Sequence, residues 1–446
     1  MTYVAHDCYL SEQGRLGFVI TQSVFKTKGG GEGFRGFCYK RGGKDWFLTP
    51  VSVDDFSTLQ PFEGATNRTA TFVVGKSRSP FKYPVPYTIW RKIRGEDISQ
   101  DNSLQEVRSI TTRDLFGAKP VNSDDRTSPW LTAPKEALAG IEKVLGHSDY
   151  RAFAGCCTWL NGVFWVRILK ESPGGKFLIE NLSDVGKIKL DVVQAQVEQD
   201  LVYPLLRGRD VSRWHAEPSA HIILANRTDK LGGIPESEMK REYPKTLAYF
   251  KKFEEPLRRR SGYKLYFNPT DPFYSFYNVG PYTLAKWKTV WREQSSEFQA
   301  AVVGCEQGKA ALADHKLMTV PCDSSNEAHY IAALLGSSPC KLVVVSYVLS
   351  TSTSTHVLEH IAIPQFIAGE SIHIRLSNLS QDCHAAIAKG DTKEIAALED
   401  KIDKAAAKLW GITDDELKAI QQALVETRSS KRAKKESTDS ADDADG

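Results

Sequence analysis

Apolar and polar residues alternate in short runs near the amino terminus of the chain. Arg15–Ile20 is an apolar run bounded by glycine and polar residues, which is typical of a buried strand. Thr69–Gly75 alternates and predicts a second strand, followed by a proline-rich stretch that ends at Trp90. Short helical patterns lie between such strands, so the first part of the chain predicts an α/β layer.

The carboxy-terminal half has a stronger helical periodicity. Pro235–Arg260 and Asn326–Leu335 have helical patterns, and the strongest amphipathic signals are Thr392–Leu409 and Thr413–Val425. Gly411 separates the last two and is placed as a helix stop. Between these helical patterns, residues 263–303 are strongly aromatic and strand-like.

These patterns divide the chain into five regions. Residues 96–128 are polar and interrupted, which predicts a linker or surface excursion with a boundary near 128. The predicted regions are an α/β domain over 1–95, this linker over 96–128, a mixed α+β domain over 129–366, a helical segment over 367–425 and a disordered tail over 426–446.

The composition excludes several classes of protein. With 41% hydrophobic and 25% charged residues, the chain is not of a disordered, fibrous or membrane type. It begins without a signal peptide and has no apolar run long enough to span a membrane, so we expect a cytoplasmic protein. Eight cysteines show no CxxC pair or zinc spacing, and we expect no metal site.

Charge and glycine content do not identify a ligand by themselves. The net charge is +3, from 58 basic and 55 acidic residues, so any basic surface must be local. Gly29–Gly33 satisfies neither the P-loop nor the dinucleotide-loop spacing, and a flexible turn is the better interpretation. The sequence contains no catalytic triad and no HExxH motif, and we assign no catalytic residue.

Two basic groups are candidates for nucleic-acid contact. The aromatic stretch Tyr266–Tyr282 leads to Lys286, Lys288 and Arg292. In such a segment the cations can bind phosphates while the rings stack on bases. Alternatively, the rings form a buried core and only the cations are exposed. We expect most of the aromatic rings to be buried and the three cations to be exposed.

The second basic group surrounds one acidic residue. Arg207, Arg209 and Arg213 lie close to Asp210, a layout that suits a braced loop and a phosphate contact equally well. The run Arg258–Arg260 ends a basic helical pattern and is interpreted as a solvated face.

Several of these segments, taken in order, resemble one family. Gly14–Lys26 and Ala65–Lys76 look like strands that follow the catalytic motif of adenine-N6 DNA methyltransferases of the γ arrangement, especially restriction-linked forms of the type IIG kind. Tyr203–Trp214 and Tyr274–Arg292 are similar to segments of the target-recognition domain in that family, and Leu409–Thr413 resembles its helical end.

The resemblance implies a fold and a set of roles. It implies a partial Rossmann-like methylase sheet over 1–95, a target-recognition domain over 129–366 and double-stranded DNA as partner. By this resemblance, Asn67 and Arg68 lie on the side of the target base. The residues expected to contact DNA are Arg207, Arg209, Arg213, Lys286, Lys288 and Arg292.

The motifs that would complete such an enzyme are missing. The family binds S-adenosylmethionine through an early glycine-rich turn and catalyses through an [NDS]PP[YF] loop, whereas this sequence has no Pro-Pro dipeptide. Asn268–Phe273 resembles that loop but lies in the recognition region. We therefore expect the carboxy-terminal portion of a methyltransferase, either truncated or completed by an N-terminal methylase subunit, which does not bind S-adenosylmethionine alone. The alternative is a non-enzymatic DNA-binding or scaffold subunit of a restriction or defence assembly.

Overall fold

The computed structural model describes residues 1–27, 29–59, 61–62, 68–93, 95–186, 188–295, 297–347 and 353–427. Its strands, in chain order, are β1 Leu16–Thr21, β2 Cys38–Arg41, β3 Lys44–Asp55, β4 Thr69–Ser77, β5 Val85–Lys92, β6 Thr111–Pro120, β7 Trp130–Pro134, β8 Phe153–Ala154, β9 Trp165–Ser172, β10 Lys176–Asn181, β11 Gln194–Glu198, β12 Val202–Leu206, β13 Val211–Ser212, β14 His215–Ala216, β15 Ala220–Ile223, β16 Trp287–Arg292, β17 Ala300–Val303, β18 Cys305–Glu306, β19 Lys309–Ala310, β20 Leu312–Ala313 and β21 Leu317–Cys322.

The helices are shorter in the first half of the chain than in the second. They are α1 Thr2–Val4, α2 Ser23–Lys26, α3 Glu32–Arg35, α4 Leu104–Ser109, α5 Lys135–Glu142, α6 Asn161–Phe164, α7 Glu236–Glu242, α8 Pro244–Lys251, α9 Glu254–Arg259, α10 Ser261–Tyr266, α11 Ser325–Gly336, α12 Ser338–Tyr347, α13 Ser371–Lys389, α14 Thr392–Trp410 and α15 over 414–427. The fold is thus mixed α/β, and the predicted strands and amphipathic helices named above are present at β1, β4, α11, α14 and α15.

The first sheet is mainly antiparallel. Its strand order is β1-β4-β3-β5-β6-β7, with β2 paired to β3, and of the pairs that the structure describes only β3 with β5 is parallel. Parallel pairs need long, usually helical crossovers, whereas α2 and α3 have four residues each. A two-residue turn joins β2 to β3, and its Gly42 and Gly43 have φ of 59° and 69°, as a type I′ hairpin requires. This mainly antiparallel order does not confirm the partial Rossmann-like methylase sheet that the resemblance implies over 1–95.

Part of the segment 96–128, predicted as a linker or surface excursion, belongs to this sheet, since β6 occupies residues 111–120. Helix α4 begins with a capping box between Ser103 and Glu106, and strand β6 then pairs with β5 from Thr111 to Ala118. The predicted boundary at 128 falls between β6 and β7, which pair with each other. The segment is polar because several β6 side chains are exposed, a pattern that resembles a loop when read from sequence.

Two larger sheets follow, besides the two-stranded pairs β13-β14 and β18-β19. One has six strands in the order β11-β10-β9-β15-β12-β20, antiparallel except for β12 with β20. It packs with α7, α8 and α9 around a core that contains Phe164, Phe250 and Phe276. The other has four antiparallel strands in the order β17-β16-β21-β8 and packs against the long helices α11, α13 and α14.

The carboxy-terminal helices end as the sequence predicts. Gly411 follows α14 with a φ of 67°, the left-handed conformation that ends a helix at low cost in glycine. Taken singly, none of the helices in the described part of the chain is long and apolar enough to cross a membrane; α11 and α12 meet that test only as a pair bent by 59°. The predicted disordered tail falls almost entirely on 428–446, outside the described residues.

A buried lysine connects the first sheet to the helices. The ammonium group of Lys26 in α2 donates to the hydroxyl of Thr132 at 2.6 Å and to the carbonyl oxygen of Ser346 in α12. Burial lowers the pKa of Lys26 from its ordinary value of 10.5 to about 7, although nearby Asp55 favours the charged form. The folded chain therefore gives up this proton at a lower pH than the unfolded chain does.

We expect this buried amine to make the stability of the protein depend on pH. Between about pH 7 and pH 10.5 the unfolded chain binds more protons at Lys26 than the folded chain does. The free energy of unfolding therefore increases as the pH rises through this range. Relative to Lys26→Met, the wild type should gain up to about 1.4 kcal/mol in unfolding free energy per pH unit. Urea titrations of both proteins at pH 7, 8, 9 and 10 measure the difference; parallel profiles would contradict the assignment.

Candidate nucleic-acid interface

The turns after β12, β16 and β20, together with residues 161–165 and 185–186, form a cleft of about 730 Å³. Strand β12 pairs in parallel with β20, so the turns that follow both strands lie side by side. The segment after β16 closes the third side, since the amide N–H of Glu293 donates to the carbonyl oxygen of Lys316 at 2.8 Å. The residues that line the cleft are Asn161, Trp165, Val185, Gly186, Arg207, Gly208, Arg209, Arg292, Glu293, Gln294, Asp314, His315 and Lys316.

The turn after β12 is braced by Arg207. Its guanidinium is buried and donates to the Asp210 carboxylate at 3.3 Å and to the Ser219 hydroxyl at 3.2 Å. The backbone N–H of Arg207 donates to the same carboxylate at 2.8 Å. The sequence leaves two interpretations of this turn open, a braced loop and a phosphate contact. The contacts of Arg207 are those of a braced loop.

The turn after β20 is braced by a second buried carboxylate. Asp314 accepts from the N–H of Gly208 at 3.0 Å and from the N–H of Lys316 at 2.5 Å. Its own N–H donates to the carbonyl oxygen of Leu206 at 2.9 Å. Asp314 therefore fixes both turns relative to each other, and its oxygens are occupied by backbone donors.

Three other cations of the cleft have few internal partners. The side chain of Arg209 is 72% exposed and lies 3.9 Å from Asp210, and Lys316 is exposed with no ion pair within the described part of the chain. The Nε of Arg292 is buried, and no described residue accepts its hydrogen. With Arg207, the described lining carries four cationic side chains against the carboxylates of Glu293 and Asp314. This arrangement can hold an anion such as a phosphate.

The other predicted DNA contacts lie elsewhere. Arg213 forms an ion pair with Glu399 of α14 and does not line the cleft. Lys288 is buried, contrary to the prediction, and donates to the carbonyl oxygens of Ala285 at 2.6 Å and Ala311 at 2.9 Å. Burial lowers the pKa of Lys288 to about 8. Lys286 is exposed but precedes β16, about 20 Å from Arg292 at the other end of that strand.

Of the two residues predicted on the side of the target base, Arg68 is described, and it does not line the cleft. Asn67 lies outside the described residues. Arg68 is exposed in the first sheet, just before β4, and its carbonyl oxygen accepts from the N–H of Gln22 at 2.9 Å. The structure thus brings together three of the six predicted DNA contacts, namely Arg207, Arg209 and Arg292, and adds two residues that sequence reasoning missed.

The two missed residues are His315 and Lys316. They follow a strand of two residues, which is too short to give a periodic signal, and only the pairing of β20 with β12 places them beside Arg209. The Nδ1 of His315 is buried, and no described residue bonds to it. No group of three or more His, Cys, Asp or Glu side chains in the described ranges is arranged to hold a metal ion.

Comparisons with known proteins give distant structural similarity. No family model and no curated protein matches the chain. The chain is similar to the solved structure of the type IIL restriction-modification enzyme MmeI in complex with DNA, at 12% identity and a TM-score of 0.47, over 97% of this chain and 51% of that one. It is also similar to the type IIG restriction endonuclease BpuSI, at 11% identity and a TM-score of 0.29, over 89% of this chain and 47% of that one. This chain thus spans about half the length of these structures.

We expect Arg207 and Arg209 to differ in their effect on stability. Arg207→Ala removes a buried cation from the Asp210 and Ser219 contacts and should lower the free energy of unfolding by about 1–3 kcal/mol. Arg209→Ala removes an exposed side chain and should change it by less than about 0.5 kcal/mol. Urea unfolding measures both variants, and equal losses would show that the turn is not braced as described.

Proposed function

We propose that this chain supplies DNA target recognition as the carboxy-terminal portion of a site-specific adenine-N6 DNA methyltransferase of the restriction-linked kind. The family assignment rests on the ordered motifs of the sequence. The observation that carries the DNA contact is the convergence of Arg209, Arg292 and Lys316 on one cleft, whose buried carboxylate, Asp314, is already occupied by internal donors.

The chemistry of the cleft suits a phosphate backbone. The planar guanidinium of Arg209 can present two N–H donors to phosphate oxygens, while the ammonium of Lys316 acts as a point charge. Asp210 and Asp314 accept hydrogen bonds from backbone N–H groups of the two turns. These bonds fix the backbone that carries the two cations. Contacts of this kind fix the position of a duplex without reading its sequence.

Methyl transfer and S-adenosylmethionine are assigned to the complete enzyme, with an N-terminal methylase subunit as the proposed partner. The glycine-rich turn before α3 does not suit such a cofactor, since it is packed against its own chain. A Cβ at Gly31 would lie 2.1 Å from the carbonyl oxygen of Val24 and 2.2 Å from the Arg35 guanidinium. The helix that follows has four residues, too few to form the α unit of a nucleotide-binding fold. No catalytic step is therefore assigned to this chain.

The proposal predicts a salt-dependent affinity for double-stranded DNA. Each cation that contacts a phosphate adds nearly one to the magnitude of the slope of log affinity against log salt concentration. Arg209→Ala and Lys316→Ala should each reduce that magnitude by about 1, and the double variant by about 2. Fluorescence anisotropy of a labelled duplex over a series of salt concentrations measures the slopes.

A matched control is Arg241→Ala. The side chain of Arg241 is also 72% exposed and also pairs with the next residue, Glu242, but it lies on α7 away from the cleft. The control should keep the wild-type slope. Wild-type binding that is absent or independent of salt would contradict the proposal and favour the scaffold alternative.

A further inference from the structure

Three aromatic rings form a stacked surface, which we name the aromatic shelf: Trp159, Tyr266 and Tyr277. The ring of Tyr266 lies 5.6 Å from that of Trp159 and 4.4 Å from that of Tyr277, with interplanar angles of 12° and 16°. Tyr266 is 44% exposed, and the other two rings are partly exposed. Most neighbouring aromatics, such as Phe273 and Tyr274, are buried in the second core.

The shelf is held in an unusual backbone conformation. Trp159 has a φ of 55°, in the left-handed region that bulky residues rarely adopt and that costs of the order of 1–3 kcal/mol. Its indole packs against Gly262 in the first turn of α10. The contact is so close that a Cβ at Gly262 would be 1.9 Å from the ring. Side chains held against such a cost are typical of functional sites.

Backbone bonds hold the shelf in register. The N–H of Cys157 donates to the carbonyl oxygen of Tyr277 at 3.0 Å, and the N–H of Tyr277 donates back to Cys157 at 3.1 Å. The guanidinium of Arg260 donates to the carbonyl oxygen of Thr158 at 2.7 Å. The rings are thus ordered before any ligand binds, which lowers the entropic cost of stacking a further ring.

The shelf lies near one end of the cationic cleft. Asn161 lines the cleft and follows Trp159 by two residues, so their Cα atoms are at most about 7 Å apart. The Thr158 hydroxyl donates to the Asn161 side-chain oxygen at 2.5 Å and fixes this connection. A nucleic-acid strand with its phosphates in the cleft would therefore have its bases within reach of the shelf.

A second pair of parallel rings also has a cation beside it. The rings of Phe153 and Tyr282 lie 4.0 Å apart at 11°, and the guanidinium of Arg151 lies 5.1 Å from the Phe153 ring. Arg151 is exposed and has no ion pair within the described ranges. Parallel rings next to unpaired cations are the features by which proteins bind unpaired bases, since every base has a flat face and a nearby phosphate.

We propose that the aromatic shelf stacks one unpaired base of a DNA strand whose phosphates lie in the cleft. This inference rests on the proposed function, because the strand reaches the shelf through the cleft. The protein then binds a duplex with one extrahelical base more tightly than a fully paired duplex, because the extrahelical base stacks on the ring of Tyr266.

The test uses two duplexes that differ by one bulged 2-aminopurine, whose fluorescence is quenched when the base is stacked. The wild-type protein should bind the bulged duplex roughly tenfold more tightly than the paired one and should quench the probe. Tyr266→Leu, which keeps an apolar side chain but no ring face, should lose both effects, whereas Tyr266→Phe should keep them. Tyr3→Leu is the control, since Tyr3 is 48% exposed and also contacts aromatic rings.

The outcomes separate the two proposals. Unchanged affinity of Tyr266→Leu for the paired duplex shows that the cleft and the fold are intact. Salt-dependent binding of the paired duplex without preference for the bulge, or probe fluorescence that rises on binding, overturns the shelf and leaves the cleft in place. Absence of binding to the paired duplex contradicts the proposed function itself. Quenching and bulge preference that persist in Tyr266→Leu also overturn the shelf, because the base is then stacked elsewhere.

Discussion

The buried guanidinium of Arg260 is the constraint on which the middle of this structure depends. It is 5% exposed, and burial lowers its pKa to about 9. A charge removed from water in this way is tolerated only if its donors are satisfied. It donates to four backbone carbonyl oxygens, those of Leu257, Thr158, Phe273 and Ser275, at 2.8, 2.7, 2.6 and 2.9 Å. These carbonyls belong to three separate segments, so one side chain holds α9, the segment before α6 and the aromatic stretch together.

The segment before α6, which Arg260 holds, is also joined to the cleft by backbone contacts. The segment that carries Trp159 begins at Gly155, where a Cβ would lie 2.1 Å from the carbonyl oxygen of Asp314. The next N–H, that of Cys156, donates to the carbonyl oxygen of Ala313 at 2.8 Å. The aromatic shelf and the turn after β20 therefore share one support. A distortion at either place changes the other, because the contact between them is backbone against backbone with no flexible side chain to absorb it.

Periodicity predicted the elements whose burial follows one face. The alternation at 69–75 and the amphipathic pattern at 392–409 correspond to β4 and α14, because in both the apolar positions follow the period of the element. Periodicity did not predict which individual cations are buried. Arg260 belongs to a run interpreted as a solvated face, and Lys288 to a group expected to be exposed, yet both are buried against carbonyl oxygens. Some partners lie far along the chain, where no local pattern indicates them: Arg260 and Thr158 are 102 residues apart, and Arg213 and the Glu399 carboxylate are 186 apart.

The cleft and the aromatic shelf, as proposed, differ in how their contributions respond to solvent. Phosphate contacts at Arg209 and Lys316 gain affinity from the release of counterions, which weakens steeply as salt is added. Stacking on Tyr266 depends on the removal of flat apolar faces from water and on dispersion, which salt screens little. Neither contact distinguishes one base from another, since phosphates are identical along a strand and every base has a flat face. Together they fix the position of a strand and favour one displaced base, while sequence recognition requires hydrogen bonds to base edges from other side chains.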